Sequence, residues 1–194
     1  MWKKKIESVP QPEQLEKELK RERYKRRYRT TLRSTVFALI TVAAVAVLVA
    51  TLWMPVLQIY GSSMTPTLVE GDIVISVKAN EFQRGDVVAF YYGNRLLVKR
   101  YIANPGAWVN ITEDGVITVD DQVLVEPYIQ EHSFGMSDLE YPYQVPEEKH
   151  FLVGDHRATS VDSRHTTVGC ISEEFIVGKI VFRVWPLERF GPIE

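Results

Sequence analysis

The sequence predicts a mostly β protein in which an N-terminal transmembrane helix precedes an antiparallel β domain. Three observations carry that prediction. No charged residue stands between Arg33 and Glu70. Beyond residue 58 the apolar residues fall into short β-rich runs without a helical period. Turn signals rich in Gly, Asp and Asn separate those runs.

Residues 1–34 form a basic segment predicted to be cytoplasmic, with 12 Lys+Arg against five Glu. It starts with Lys3-Lys4-Lys5 and passes Pro10-Gln11-Pro12. Beyond these, Glu13/Lys17 and Glu16/Lys20 are spaced four apart, which predicts a charged helix after the prolines. Residues 35–57 are the predicted span. Positions 36–57 are 22 residues interrupted only by Thr41 and Thr51, so a helix of roughly 33 Å meets a hydrocarbon core of about 30 Å. A cleaved signal peptide would put a shorter apolar region nearer the N-terminus, and a core helix apolar on every face would need a larger domain around it. The basic block before the span orients the N-terminus to the cytoplasm and can lie against anionic lipid. Trp53 and Tyr60 suit the far interface, and Pro55 helps to end the helix.

Residues 58–194 are predicted to be extracytoplasmic. Residues 35–194 hold 11 basic and 20 acidic side chains, which argues against nucleic acid as a partner. Strands are predicted at 73–77, 87–91, 95–102, 109–111, 116–119, 150–153 and 176–184. Turns lie between them at Glu70-Gly71-Asp72, Arg84-Gly85-Asp86, Tyr92-Gly93-Asn94, Pro105-Gly106 and Asp114-Gly115. The polar stretch 131–148, with Pro142 and Pro146, predicts a long surface loop. Cys170 is alone, so neither an intramolecular disulfide nor a Cys-based metal site can form, and its expected role is that of a small apolar residue.

Three segments hold residues able to do chemistry: Gly61-Ser62-Ser63-Met64-Thr65-Pro66-Thr67-Leu68, Val98-Lys99-Arg100 with Ile102-Ala103-Asn104-Pro105-Gly106, and Gly154-Asp155 through Ser160-Val161-Asp162-Ser163-Arg164. Each alone has an ordinary role. Serines beside Gly and Pro form turns, a lysine ending an apolar strand snorkels to water, and a Gly-Asp-x-Arg loop makes a salt-bridged turn. In this order, however, Ser63-Met64-Thr65-Pro66-Thr67 after a span, then Gly71-Asp72, Lys99-Arg100, Pro105-Gly106 and the third segment closely resemble bacterial type I signal peptidases. These are membrane-anchored Ser–Lys proteases that remove signal peptides from exported proteins. The resemblance covers the span and nearly all of residues 55–190, in the compact form common in Gram-positive bacteria.

That resemblance implies a fold of the signal-peptidase and self-cleaving-repressor type. It implies Ser63, not Ser62, as nucleophile and Lys99 as general base. Ser160 takes the place of the serine that orients the lysine, and Asp162 and Arg164 support the loop through charge pairing that includes Arg100. The Ser63 backbone N–H is the implied oxyanion donor, while Gly61 stands where some members carry a second, serine donor. The implied substrates are secreted preproteins cut after small residues, typically Ala-x-Ala, with the peptide extended along a strand edge. Leu57, Ile59, Met64, Leu97 and Val98 are expected to wall the pockets beside Gly61. The implied localisation is the cell membrane, single-pass, with membrane lipid as a further partner at the domain's apolar skin and with no cofactor or metal.

The chemistry of the residues agrees. A serine hydroxyl is a poor nucleophile until a base takes its proton, and an unperturbed lysine, titrating near about pH 10.4, is no base. Burial disfavours the ammonium, and Leu96-Leu97-Val98 with Ile102 supply apolar surroundings. The chain departs from the pattern at His156 (usually Asn), Ala158-Thr159 (usually a polar pair) and Ala107 (often acidic). A histidine-based triad is the first rival reading; Lys99 fills that position, which leaves His132, His150, His156 and His165 as surface or loop residues. A self-cleaving repressor would need neither span nor basic tail. The non-enzymatic alternative is an anchored β domain that binds exported peptides without cutting them.

Overall fold

The computed structural model describes residues 11–193 except Asn80; the Lys3-Lys4-Lys5 run and Pro10 lie outside the described residues. The chain divides after Val49 into two units. Helix α1 runs Pro12–Trp53. Proline suits its first position, where an N–H would be unpaired, and Glu13 complements the positive end of the helix dipole. The expected Glu13/Lys17 and Glu16/Lys20 pairs are replaced by exposed contacts at spacing three: Glu18 with Arg21 at 3.7 Å and Glu22 with Lys25 at 3.0 Å. The helix is charge-free from Ser34 onward, its most apolar 18 residues have a mean hydropathy of 2.6, and no residue in it is buried. Such a helix is long and apolar enough to cross a bilayer. Thr41 returns its hydroxyl proton to the Phe37 carbonyl at 2.9 Å, so it adds no unpaired donor to this face.

The helix ends earlier than the expected 57. Its last bond runs from Met54 N–H to the Ala50 carbonyl, and Pro55 disfavours helical backbone at the residue before it. The next residues form strand β1 (Val56–Gln58), followed by β2 (Ile73–Val77), β3 (Val87–Tyr92), β4 (Arg95–Ala103), β5 (Trp108–Ile111), β6 (Ile117–Val119) and β7 (Gln122–Val123). Then come β8 (Tyr143–Gln144), β9 (Lys149–Val153), β10 (Ile171–Ser172), β11 (Ile176–Trp185) and β12 (Gly191–Pro192). All pairs are antiparallel. The larger sheet has the order β1-β2-β11-β3-β4-β9-β10 with β12 on β11, and the smaller one the order β7-β6-β5-β8.

Three apolar clusters fill the β unit. One lies between the two sheets (Ile102, Val109, Ile117, Val145, Phe151). A second lies beneath the Ser63 loop (Ile59, Met64, Leu68, Val74, Val87, Ile180), and a third against β3 and β9 (Val88, Phe90, Tyr101, Leu152). The stretch expected as a surface loop, 131–148, is tied down instead: β8 pairs with β5, Val145 is buried, and Phe134 and Tyr141 pack on the first cluster. His150, expected at the surface, is buried on β9, where its Nδ1 shares a 2.8 Å hydrogen bond with the Tyr101 hydroxyl.

Candidate active site

Ser63 sits in a tight turn between β1 and β2. Thr65 N–H closes on the Ser62 carbonyl at 3.1 Å and Leu68 N–H on the Met64 carbonyl at 2.8 Å. Met64 and Leu68 anchor the turn in the second cluster, at 3% and 0% exposure. From outside, His156 N–H donates to the Ser63 carbonyl at 3.0 Å. Asp72, buried, accepts from Val69 N–H at 3.0 Å and meets Arg189 at 2.5 Å and Arg183 at 3.0 Å. The Ser63 turn is thus pinned by the third segment on one side and by the C-terminal strand region on the other.

Lys99 lies on β4 opposite Val88 of β3 and is only 3% exposed. Its Nζ stands 2.6 Å from Ser63 Oγ and donates to it. Burial pushes the Lys99 ammonium below its ordinary value; Asp162 and Asp155 oppose that shift and Arg164 assists it. Ser160 Oγ is fully buried and has no hydrogen-bond partner among the described residues. It packs against Gly154, where an added Cβ would fall on Ser160 and 2.6 Å from the Ser63 carbonyl oxygen. Ser160 and Ser63 therefore share one crowded corner, although the expected Ser160–Lys99 bond is not formed. The Ser63 N–H likewise makes no hydrogen bond among the described residues and is free to donate.

The charges around this corner pair differently from expectation. Arg100 does not pair with Asp162. It forks onto Asp155, Nε to Oδ1 at 2.9 Å and Nη2 to Oδ2 at 2.7 Å, donates to the Gly85 carbonyl at 2.5 Å, and lies 3.7 Å over the Tyr128 ring. Asp162 is forked by Arg164, at 2.8 and 2.9 Å, and accepts from Gly154 N–H at 2.9 Å. Sequence spacing favoured neither partner, because strand register decides which carboxylate β4 meets. A third buried pair, Arg157 with Glu126, was not anticipated at all, and neither was Tyr128, which donates to Glu126 at 2.9 Å. Thr67 Oγ1 also donates to Asp155, at 2.5 Å. Of these, Asp155 and Arg157 carried a signal in the sequence through the third segment and Thr67 through the first, whereas Glu126 and Tyr128 carried none.

An apolar groove of about 670 Å³ runs from Ser63 along β1 and the first half of β4. All six expected binding residues line it: Leu57, Ile59, Gly61, Met64, Leu97 and Val98. So do Val56, Gln58, Tyr60, Leu96 and Arg95, to which the sequence assigned no binding role. Gly61 has a φ of +80°, which glycine adopts without strain, and open space where a side chain would stand. β1 is an edge strand, and β9 pairs with β4 only from Arg100 onward, so two rows of backbone groups face the groove without a strand partner among the described residues.

A serine held on a desolvated amine, at the end of a groove with open strand edges, is the equipment of a serine hydrolase acting on an extended chain. Residues 32–185 match the family model described as signal peptidase, peptidase S26. The chain is 30% identical over 153 residues to signal peptidase I U of Bacillus subtilis, covering 73% of this chain and 81% of that one. It is 34% identical over 152 residues to signal peptidase IB of Staphylococcus aureus, covering 68% and 78%. A crystal structure of a signal peptidase I from Enterococcus faecalis aligns at 24% identity with a TM-score of 0.43, over 53% of this chain and 98% of that one. The chain belongs to the signal peptidase family.

Proposed function

We propose that the protein is a membrane-bound signal peptidase I that cuts signal peptides from secreted preproteins, with Ser63 as nucleophile and Lys99 as general base. The observation that carries this reading is the 2.6 Å contact between Ser63 Oγ and a lysine whose charge is disfavoured by burial. Once neutral, the amine accepts the hydroxyl proton as Ser63 Oγ attacks the scissile carbonyl. The Ser63 N–H donates to the developing oxyanion. The Lys99 ammonium then gives its proton to the leaving amine, and water, deprotonated by the same amine, releases the acyl group. Ser160 Oγ, buried beside this pair and without a partner among the described residues, turns to accept from Nζ and hold the amine in line. Asp162, Arg164 and Arg100 act as supports.

The substrate lies extended between β1 and β4, adding main-chain bonds to both open edges. Small residues before the cut fit pockets floored by Ile59 and Met64, the most deeply buried of the lining residues discussed above. The span is residues 34–53, at 20 residues about as long as the hydrocarbon core is thick. The basic segment before it lies in the cytoplasm and the β unit outside.

The test is cleavage of an Ala-x-Ala preprotein by the full chain in non-ionic detergent. Ser63→Ala and Lys99→Ala abolish it, and Ser160→Ala lowers kcat by about 10- to 1000-fold with the fold intact by circular dichroism. Full activity in either of the first two variants refutes the mechanism. A purified chain that binds the preprotein and never cuts it supports the non-catalytic alternative.

A further inference from the structure

Arg95 is the one charged side chain among the described residues lining the groove. It is exposed and makes no hydrogen bond or ion pair among the described residues. Its place in the register is fixed. Successive antiparallel pairings from β1 through β2, β11 and β3 to β4 make β1 and β4 run in the same direction. Ser63 follows β1, and Lys99 lies toward the end of β4, so both reacting groups reach the groove at one end. Val56 and Arg95 mark the other. The groove extends from Ser63 only toward Val56 and Arg95, and the small residues before the cut fit its pockets, so the substrate reaches Ser63 along it from that end. Its residues before the cut then lie along 95–98 of β4. Arg95 lies four residue steps before Lys99 on the strand, about 13 Å, which sets Arg95 beside the substrate residue three to five positions upstream of the scissile bond.

We propose that Arg95 is a specificity-determining residue that selects for an acidic, and against a basic, side chain at that upstream position of the substrate. The proposal rests on the reading of the site given above. The remaining groove walls are apolar or neutral, so nothing there screens or competes with the guanidinium. An ion pair at a half-open site is worth about two- to fivefold in affinity. Because Arg95 stands far from the reacting atoms, its effect falls on KM and leaves kcat alone.

The experiment uses three peptides with one Ala-x-Ala site, bearing Asp, Asn or Lys four residues before the cut. The full chain and its Arg95→Gln and Arg95→Glu variants are assayed in non-ionic detergent, which removes lipid phosphate as a rival anion. The unaltered protein prefers Asp to Lys about fivefold in KM, and high salt shrinks the preference. Arg95→Gln levels the series and Arg95→Glu reverses it. An unchanged order in Arg95→Glu, or an equal loss on all three peptides, overturns the proposal. Equal cleavage of all three by the unaltered protein overturns it while leaving the proposed function standing; cleavage of none overturns both.

Discussion

Replacing Lys99 with Met removes the base and also removes the cost of burying it, and the two effects share one pH dependence. Burial lowers the Lys99 value in the folded protein from its ordinary 10.5. In the window between the lowered value and 10.5, the unfolded chain binds a proton that the folded chain does not, so wild-type stability rises with pH there. The slope is about 1.4 kcal/mol per pH unit. Met has nearly the same length and no proton to lose. The gain of Lys99→Met over wild type is therefore largest and level below the lowered value, shrinks through the window, and is smallest above 10.5. Urea unfolding of both proteins in non-ionic detergent, followed by tryptophan fluorescence from about pH 6 to 10.5, gives the gain at each pH. The wild-type profile of kcat/KM rises with pH through that same lowered value, because the neutral amine is the active form. A gain that does not change with pH, or a break in it more than about one unit from the kinetic midpoint, refutes the reasoning.

Two more predictions concern the frame around the pair. Gly154→Ala puts a Cβ 2.6 Å from the Ser63 carbonyl oxygen and from Ser160 Cβ, so the turn shifts, stability falls by about 1–3 kcal/mol and peptide cleavage falls at least about 100-fold. Activity within twofold of wild type contradicts it. Arg164→Met strips the forked partner from buried Asp162, which costs about 3–5 kcal/mol and moves the midpoint of kcat/KM to higher pH, since the exposed carboxylate charge then favours the Lys99 ammonium. A downward or absent shift contradicts it.

Strands whose faces are buried were legible because their patterns are local. Runs such as Ile73–Val77 and Arg95–Ala103 announce themselves through β-branched residues between turn signals. Apart from Ile117–Val119, the two- and three-residue strands were not legible, since Val56–Gln58, Tyr143–Gln144 and Ile171–Ser172 exist only through the partner each finds across the sheet. The same division holds at the site. Ser63, Met64, Lys99, Leu97 and Val98 sit in segments with their own signature, whereas the partner of Arg100 depends on how β4 meets the loop after β9. Glu126 had no signature, and its burial is explained by Arg157, 31 positions away, together with the Tyr128 hydroxyl.

The pairing of those charges explains how a lysine can lose its proton beside two aspartates. Both Asp155 and Asp162 act on Lys99 in the direction that would keep it an ammonium, and either one, left single, would make a buried salt bridge with it. Neither is single. Asp155 is held by two nitrogens of Arg100 and by Thr67, and Asp162 by two nitrogens of Arg164 and by the Gly154 N–H. Their charges are matched within the same dry volume, at 0% exposure for both aspartates' side chains. What reaches Lys99 is then the small remainder of two nearly neutral pairs, while the cost of desolvating its own charge remains whole. Arginine serves here because its charge cannot be given up and its fork matches a carboxylate. The buried pairs therefore count as part of the base as much as the amine does: they carry the charges that a folded loop of this composition must bury, and leave Lys99 without one to answer.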